Sequence, residues 1–378
     1  MQYQVSAIGT LKLCPCCVVM IDENRKLWLI GCYQLMDEKD SSKSAIDVNQ
    51  RIGSLVLIKG TEIICELDCV DGGVFDLRLM KNMENDVAAR VCAAHSNGSI
   101  AFYRVTVDQI IPDVRHKSTS EMLCSLSVIQ DDTDHSLVIA GDSKGKFYLA
   151  NDTSILSEHE ISSPLSEPIW CIHNTSFQTK WMILVGSEDS LVRIFTIPRE
   201  NKSDVKKCQS ILKDAGAGIT SIASSINGID DLQETHKIYV GSYDEHIRIY
   251  SLTVTRSLDA STDQLFRFSL LTRIYIENSG IWRIIPIICD EGGTKLLIAG
   301  MYGGGYVCKL SETEKTLKRI RLQASSALIQ KDDIDEPTSE EETGNPQLIY
   351  GIACMTDASE ILFTSFYEKK FIFVQRKE

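Results

Sequence analysis

The sequence predicts an all-β fold, a seven-bladed β-propeller closed by its own N-terminal strand, on three observations. The first is a recurring hairpin. Its clearest copy is GSYDEHIRIY, Gly241 to Tyr250, where one strand ends, a tight polar turn follows, and a second strand alternates Ile247 and Ile249 with His246, Arg248 and Tyr250. Related copies are GSLVLI from Gly53, NGSIAFYRV from Asn97, GKFYLAN from Gly145, SEDSLVRIFTI from Ser187, GGYVCKL from Gly304 and SFYEKKFIFVQ from Ser365. The second observation is the period. The anchors Leu55, Ile100, Phe147, Val192, Ile247, Tyr306 and Phe371 lie 45, 47, 45, 55, 59 and 65 residues apart, close to a four-stranded blade of about 40–45 residues with insertions. The third is that the last unit lacks a fourth strand while the first residues have no other place.

Taken in order, blade 1 uses Leu11–Cys14, Leu27–Tyr33, Ile52–Lys59 and Glu62–Leu67, with Asp37–Asn49 as a solvated loop. Blade 2 uses Val74–Leu79, Arg90–His95, Ser99–Val105 and a short edge strand near Gln109–Pro112. Blade 3 uses Met122–Val128, Ser136–Gly141, Lys146–Ala150 and Ile155–Ile161, and blade 4 uses Ile169–His173, Trp181–Gly186, Leu191–Ile197 and Cys208–Leu212. Blade 5 uses Ile219–Ser224, His236–Ser242, Ile247–Leu252 and Phe266–Ile276, with an insertion at Arg256–Gln264. Blade 6 uses Ile281–Ile287, Lys295–Met301, Tyr306–Leu310 and Leu317–Leu322. Residues 331–347 carry seven carboxylates and almost nothing apolar, and read as a disordered acidic loop within one propeller spanning residues 1–378. Blade 7 uses Leu348–Met355, Glu360–Ser365 and Lys370–Gln375, and Tyr3–Ile8 supplies its outer strand, which removes an exposed edge.

Composition narrows the function classes. A formal net charge of −13 and 43 % apolar residues suit a packed ring and argue against a protein built to coat nucleic acid or anionic lipid. No run of 18 apolar residues and no leader segment is present, so a soluble, cytoplasmic monomer is the expectation. The thirteen cysteines are odd in number and scattered through strand-like runs, as reduced cysteines are. Cys14, Cys16 and Cys17 cluster without an answering Cys/His pair, so no metal and no cofactor is expected.

The turn and alternating strand resemble the WD-repeat family in a degenerate form, the terminal pair reading Tyr250-Ser251, Phe195-Thr196 or Ala150-Asn151. GCYQL at Gly31, GSYDEH at Gly241, SGIWR at Ser279, LIYG at Leu348 and TSFYE at Thr364 resemble, in order, the WD-repeat diphthine methyl ester hydrolase family of the diphthamide pathway. Tyr302, where a His is expected, and His95, where a small residue or Asp is expected, depart from it. The resemblance implies hydrolysis of a methyl ester on a modified histidine of translation elongation factor 2, with that factor as partner.

In propellers of this type the turn between the second and third strands lies at the mouth of the ring. That position reads Tyr33, Ser96, Ser143, Glu188, Tyr243, Tyr302 and Tyr367 around the blades, and Trp282 and Tyr350 stand at blade entries within the tyrosine arc. Tyr33, Tyr243, Trp282, Tyr302, Tyr350, Tyr367 and Glu188 are the candidate substrate-binding residues, because aromatic faces attract a quaternary ammonium by about 0.5–2 kcal/mol per ring. Packing between blades is the plainer reading of any one ring.

Ester hydrolysis needs a nucleophile or activated water, a base and oxyanion donors. Asp244, Glu245, His246 and Arg283 are the candidates, although a turn Asp commonly bonds its own turn backbone. Ser143 lies in Gly141-Asp142-Ser143-Lys144-Gly145, a G-x-S-x-G string that here joins two strands rather than a strand and a helix. Two other functions fit the same repeats: a non-catalytic scaffold or substrate receptor, which needs only a broad rim, and a methyl-lysine reader, which needs no base.

Overall fold

The computed structural model describes residues 3–36, 51–82, 87–130, 136–163, 165–177, 180–229, 233–255, 265–288, 293–310 and 348–377. These residues form strands and turns, with no helix among them. The chain begins with β1 (Tyr3–Thr10). Blade 1 follows as β2 (Cys14–Asp22), β3 (Leu27–Leu35), β4 (Arg51–Lys59) and β5 (Glu62–Asp68). Blade 2 is β6 (Val74–Asn82), β7 (Val87–His95), β8 (Ser99–Thr106) and β9 (Ile110–Lys117), and blade 3 is β10 (Leu123–Ile129), β11 (Leu137–Asp142), β12 (Lys146–Ala150) and β13 (Ile155–Glu160). Blade 4 is β14 (Ile169–Phe177), β15 (Lys180–Ser187), β16 (Val192–Pro198) and β17 (Lys206–Leu212). Blade 5 is β18 (Ile219–Ile229), β19 (Gln233–Ser242), β20 (His246–Thr255) and β21 (Leu265–Tyr275). Blade 6 shows β22 (Ile281–Ile288), β23 (Thr294–Gly300) and β24 (Gly304–Leu310), and blade 7 is β25 (Ile349–Cys354), β26 (Glu360–Ser365) and β27 (Lys370–Arg376).

Each blade is an antiparallel meander, and the first strands β2, β6, β10, β14, β18, β22 and β25 pack in succession until β25 meets β2. The ring is therefore closed. The seven repeat anchors fall on the third strands and are all buried, none more than 4 % exposed. β1 completes blade 7 as predicted, pairing antiparallel to β27 from Tyr3↔Arg376 to Thr10↔Lys370. The Tyr3 hydroxyl donates to the Ala358 carbonyl oxygen at 3.1 Å, which anchors the clasp beneath the blade.

Several strands run longer than expected, β14 to Phe177 and β18 to Ile229 among them, and two boundaries have a particular cause. The first strand of blade 1 is Cys14–Asp22, not Leu11–Cys14: the apolar run Cys16 to Ile21 forms the inner strand, and Leu11 belongs to the connection from β1, its N–H bonded to the Lys369 carbonyl. The outer strand of blade 2 runs on to Lys117, because Pro112 sits on an outer strand where a missing N–H breaks no ladder on the open side. The Asp37–Asn49 loop, the Arg256–Gln264 insertion, the Leu317–Leu322 strand and the 331–347 loop lie outside the described residues.

At four joints the blades are held close by glycine near the end of the second strand. A Cβ on Gly186 would stand 2.6 Å from Ile219 at the start of blade 5, and one on Gly241 would stand 2.5 Å from Ile281 at the start of blade 6. Gly141 meets Ile169 of blade 4 in the same way. Clusters of buried aliphatic side chains then fill each gap between blades, for example Ile139, Leu149, Ile172 and Ile183 between blades 3 and 4.

Removing the clasp is expected to open the ring at blade 7. Tyr3→Ala should lower the unfolding free energy by about 3–5 kcal/mol, read by urea denaturation, and deletion of residues 1–10 should expose the β27 edge and drive self-association on size-exclusion chromatography. A deletion variant that stays monomeric with unchanged unfolding would remove the clasp role.

Candidate functional site

The mouth is built by one irregularity repeated in every blade. Pairing of the first with the second strand slips between Pro15 and Cys17, Val74 and Asp76, Leu123 and Ser125, Ile169 and Cys171, Ile219 and Ser221, Ile281 and Arg283, and Ile349 and Ile352. A bulge of this kind leaves one residue unpaired and re-aims its side chain. The residues so placed are Cys16, Phe75, Cys124, Trp170, Thr220, Trp282 and, in the two-residue slip, Tyr350. Four of the seven are aromatic.

These rings join the turn residues in one unbroken run of contacts. Trp170 and Trp282 lie 6.0 Å apart between centroids, Trp282 stacks on Tyr350 at 4.8 Å, and Tyr350 meets Phe366 at 5.1 Å. Phe366 continues to Tyr33 at 4.9 Å, and Tyr33 stacks on Phe75 at 4.4 Å. Tyr243 joins at Trp282, 5.9 Å away, and Tyr367 at Phe366, 5.3 Å away. The run crosses blades 4, 5, 6, 7, 1 and 2 and takes in Tyr33, Tyr243, Tyr350 and Tyr367 of the expected tyrosines. Tyr367 is its exposed member, at 60 %, whereas Tyr302, 57 % exposed, makes no ring contact with the run among the described residues. Burial raises the phenol pKa of Tyr33, Tyr243 and Tyr350, so these hydroxyls stay protonated.

Glu188 stands at the blade 4 end of the arc, where its Oε2 accepts the Trp170 indole N–H at 2.5 Å. A Cβ on Gly218 would fall 2.5 Å from the same oxygen and 3.2 Å from the Tyr243 ring, so carboxylate and ring converge over that glycine. At the blade 6 entry, the Arg283 guanidinium lies 5.0 Å from the Trp282 ring centroid. Its Nη1 donates to the carbonyls of Thr220 at 3.2 Å and Trp282 at 3.0 Å.

The blade 5 turn serves a different purpose. Arg248 clamps Asp244 through bonds of 2.6 and 3.0 Å, while the N–H groups of Gly216 at 2.7 Å and His246 at 3.2 Å reach the same carboxylate. Burial alone would raise the Asp244 pKa, but the Arg248 bonds and the Gly216 N–H outweigh it and hold the carboxyl below its ordinary range. Blade 4 repeats the device, Arg193 binding Asp189 at 2.5 and 3.0 Å. Asp244 thus holds its turn together. His246 bonds the Asp244 carbonyl through Nδ1 at 2.6 Å and leans on Tyr275 of the outer strand, 5.2 Å away. Glu245 occupies the left-handed tip of the turn, φ 66°, and its carbonyl accepts the Ile276 N–H. No described contact joins His246 or Glu245 to Arg283, which faces the channel.

Ser143 sits on the β11–β12 turn of blade 3, the one blade without a ring in the arc, and its N–H bonds the Met122 carbonyl. Asp142 organises that turn, accepting the N–H groups of Lys144 at 2.8 Å and Lys146 at 2.9 Å and the Tyr148 hydroxyl at 3.0 Å. His95 does the equivalent work in blade 2, bonding the Tyr103 hydroxyl at 3.0 Å, which accounts for its departure from a small residue or Asp. Cys14, Cys16 and Cys17 are buried free thiols, and no group of three or more His, Cys, Asp or Glu among the described residues is placed to hold a metal.

Below the mouth the first strands enclose a channel of about 530 Å³, lined in part by Asp76, Arg78, Cys171, His173, Asn174 and Arg283. His173 bonds Ser224 Oγ at 2.7 Å, and burial, then the charges of Arg78 and His236, lower its pKa from 6.5 to about 4. Phe75, Trp170 and Phe366 are the mouth residues that turn positions alone miss. The signal for Phe75 and Trp170 is the recurring pair of an aliphatic and an aromatic residue at a blade entry, as in Val74-Phe75, Ile169-Trp170, Ile281-Trp282 and Ile349-Tyr350, whereas Phe366 lies on the turn after β26 and has no such signal.

Two measurements test these assignments. Removing one partner of the Asp244–Arg248 pair should cost about 3–5 kcal/mol, so Asp244→Ala is expected to lower urea stability by that amount, and an unchanged midpoint would return Asp244 to the chemical candidates. His173 is folded with a pKa below its unfolded value, so its contribution is complete above about pH 6.5 and is lost as pH falls toward 4, about 3 kcal/mol in all. His173→Gln should flatten that part of the stability–pH curve; an identical slope would refute it.

No helix among the described residues is long and apolar enough to cross a membrane. No family model matches the chain, and no curated protein matches it at a significant level. The molecule is a seven-bladed β-propeller, consistent with a WD-repeat protein, with an aromatic mouth.

Proposed function

We propose that the mouth captures the quaternary ammonium of methylated diphthine on translation elongation factor 2, and that the protein hydrolyses the adjoining methyl ester. The observation that carries this reading is the aromatic run ending on Glu188. Trp170, Tyr243 and Trp282 supply ring faces and edges, and Glu188 supplies the opposite charge. The likeness of GCYQL, GSYDEH, SGIWR, LIYG and TSFYE to the diphthine hydrolase family supports the choice of ester.

Arg283 beside Trp282 sets a donor next to the ring that meets the ammonium, where the ester oxygen of an ammonium-bearing carbon would lie. In the reaction water adds to the ester carbonyl as a base takes its proton. The resulting oxyanion is held by N–H donors, and methoxide departs, protonated, as methanol. Glu188 is the carboxylate of the mouth that faces the rings. His246 is turned onto Asp244 and Tyr275 and so ranks behind it as base.

A second reading is a non-catalytic receptor that binds the modified side chain within a larger complex. The separation of Glu245 and His246 from Arg283 favours it.

The test is methanol release from elongation factor 2 carrying methylated diphthine. Wild-type protein is expected to release methanol, Trp170→Ala to lower kcat/KM by about 2- to 30-fold, and Glu188→Gln by about 10²- to 10⁴-fold if it is the base. Binding of the modified factor without methanol release would select the receptor. Neither binding nor release would end both readings.

A further inference from the structure

The channel beneath the mouth has a charge opposite to that of the whole molecule. The chain carries a formal net charge of −13, yet the charged residues lining the cavity are Arg78, Arg283 and Asp76. Asp76 is fully committed. Its Oδ1 accepts Arg78 Nη1 at 2.8 Å and the Leu77 N–H at 3.0 Å, and its Oδ2 accepts the Leu126 N–H at 2.9 Å. One guanidinium charge is thereby offset and one is not. Arg283 has no carboxylate partner among the described residues; its named bonds are the two carbonyls taken by Nη1, and no described acceptor meets its Nε or Nη2. Arg78 likewise gives Nε to the Leu126 carbonyl and Nη1 to Asp76 and the Leu77 carbonyl, which leaves Nη2.

The two arginines come from blades 2 and 6, on well-separated sides of a ring of seven. Both act on one thiol: burial lifts Cys171 to about 12, and the charges of Arg283 and Arg78 oppose the rise. The remaining lining is largely aliphatic, with Val18, Leu79, Ile222 and Ile285 among it. An unoffset cation in such walls attracts an anion strongly, because low-dielectric walls focus the field.

We propose that the upper channel is a binding site for a carboxylate, received by the free N–H groups of Arg283 with Arg78 behind it. A carboxylate matches the planar guanidinium fork. One unoffset positive charge suits a monoanion; a phosphate dianion would leave a charge uncompensated between apolar walls. The carboxylate has two possible carriers: a small free acid, or a group tethered to an ammonium that sits in the aromatic mouth. The tethered carrier alone rests on the function proposed above, since hydrolysis of the ester would leave a carboxylate at this place.

The experiment is calorimetric titration of the full-length protein at constant ionic strength in chloride, with sodium acetate, glycine betaine, choline and inorganic phosphate as probes. Acetate is expected to bind saturably, and glycine betaine about tenfold more tightly if the tethered carrier is correct; equal affinities assign the free acid. Arg283→Gln should weaken both by about 10- to 100-fold, and Arg283→Lys, which keeps the charge without the fork, should fall between. Thermal unfolding of each variant confirms that it is folded. Absence of saturable binding by both carboxylates, tighter binding of phosphate than of acetate, or wild-type affinity in a folded Arg283→Gln variant would each overturn the site. Failed methanol release leaves the acetate result standing, so the two ideas fail separately.

Discussion

Close approach of each blade to the next is the constraint on which the rest of the molecule depends. At four of the seven joints a glycine near the end of the second strand lets the first strand of the following blade lie against it: Gly31 for Val74, Gly141 for Ile169, Gly186 for Ile219 and Gly241 for Ile281. That strand keeps its aliphatic side chain buried in the gap and slips by one residue to resume pairing. The bulged residue then has no place in the ladder, and at Phe75, Trp170, Trp282 and Tyr350 it joins the ring of aromatics at the mouth.

This arrangement separates the mouth into parts with different chemistry. The bulge and turn positions of blades 4 to 2 bring rings together, and burial keeps their phenols protonated and the wall apolar. Glu188 adds a negative charge at one end, and Arg283 adds a positive one on the side facing the channel. Such a surface suits a ligand with an ammonium and a carboxyl derivative close together. The polar turn of blade 5, by contrast, spends Asp244 on Arg248 and His246 on Asp244, as blade 4 spends Asp189 on Arg193. Its charges serve the hairpin.

The same economy explains why a serine in a G-x-S-x-G string gains no nucleophilic setting here. Ser143 follows Asp142, whose carboxylate is taken by two turn N–H groups and Tyr148. No base among the described contacts reaches it. A short motif carries its chemistry only with the strand-to-helix turn that exposes the serine, and blade 3 has a β-turn instead.

The amino-acid sequence by itself determined the number of blades, the third-strand anchors and the closure by Tyr3–Thr10, because each depends on local alternation, turn residues and a missing partner strand. It also marked Tyr33, Tyr243 and Tyr367, which join the aromatic run, since their place follows from position in the repeat. It misplaced the start of blade 1, where Leu11 and the Cys16–Ile21 run are both strand-like and only packing chooses between them. Tertiary structure decided that Phe75 and Trp170, at bulges, and Phe366, on the turn after β26, complete the arc, because their contacts are with rings of other strands and blades. It likewise decided that Asp244 and His246 face their own hairpin while Arg283 faces the channel: which way a side chain points depends on strands that are distant in the chain and adjacent in the ring.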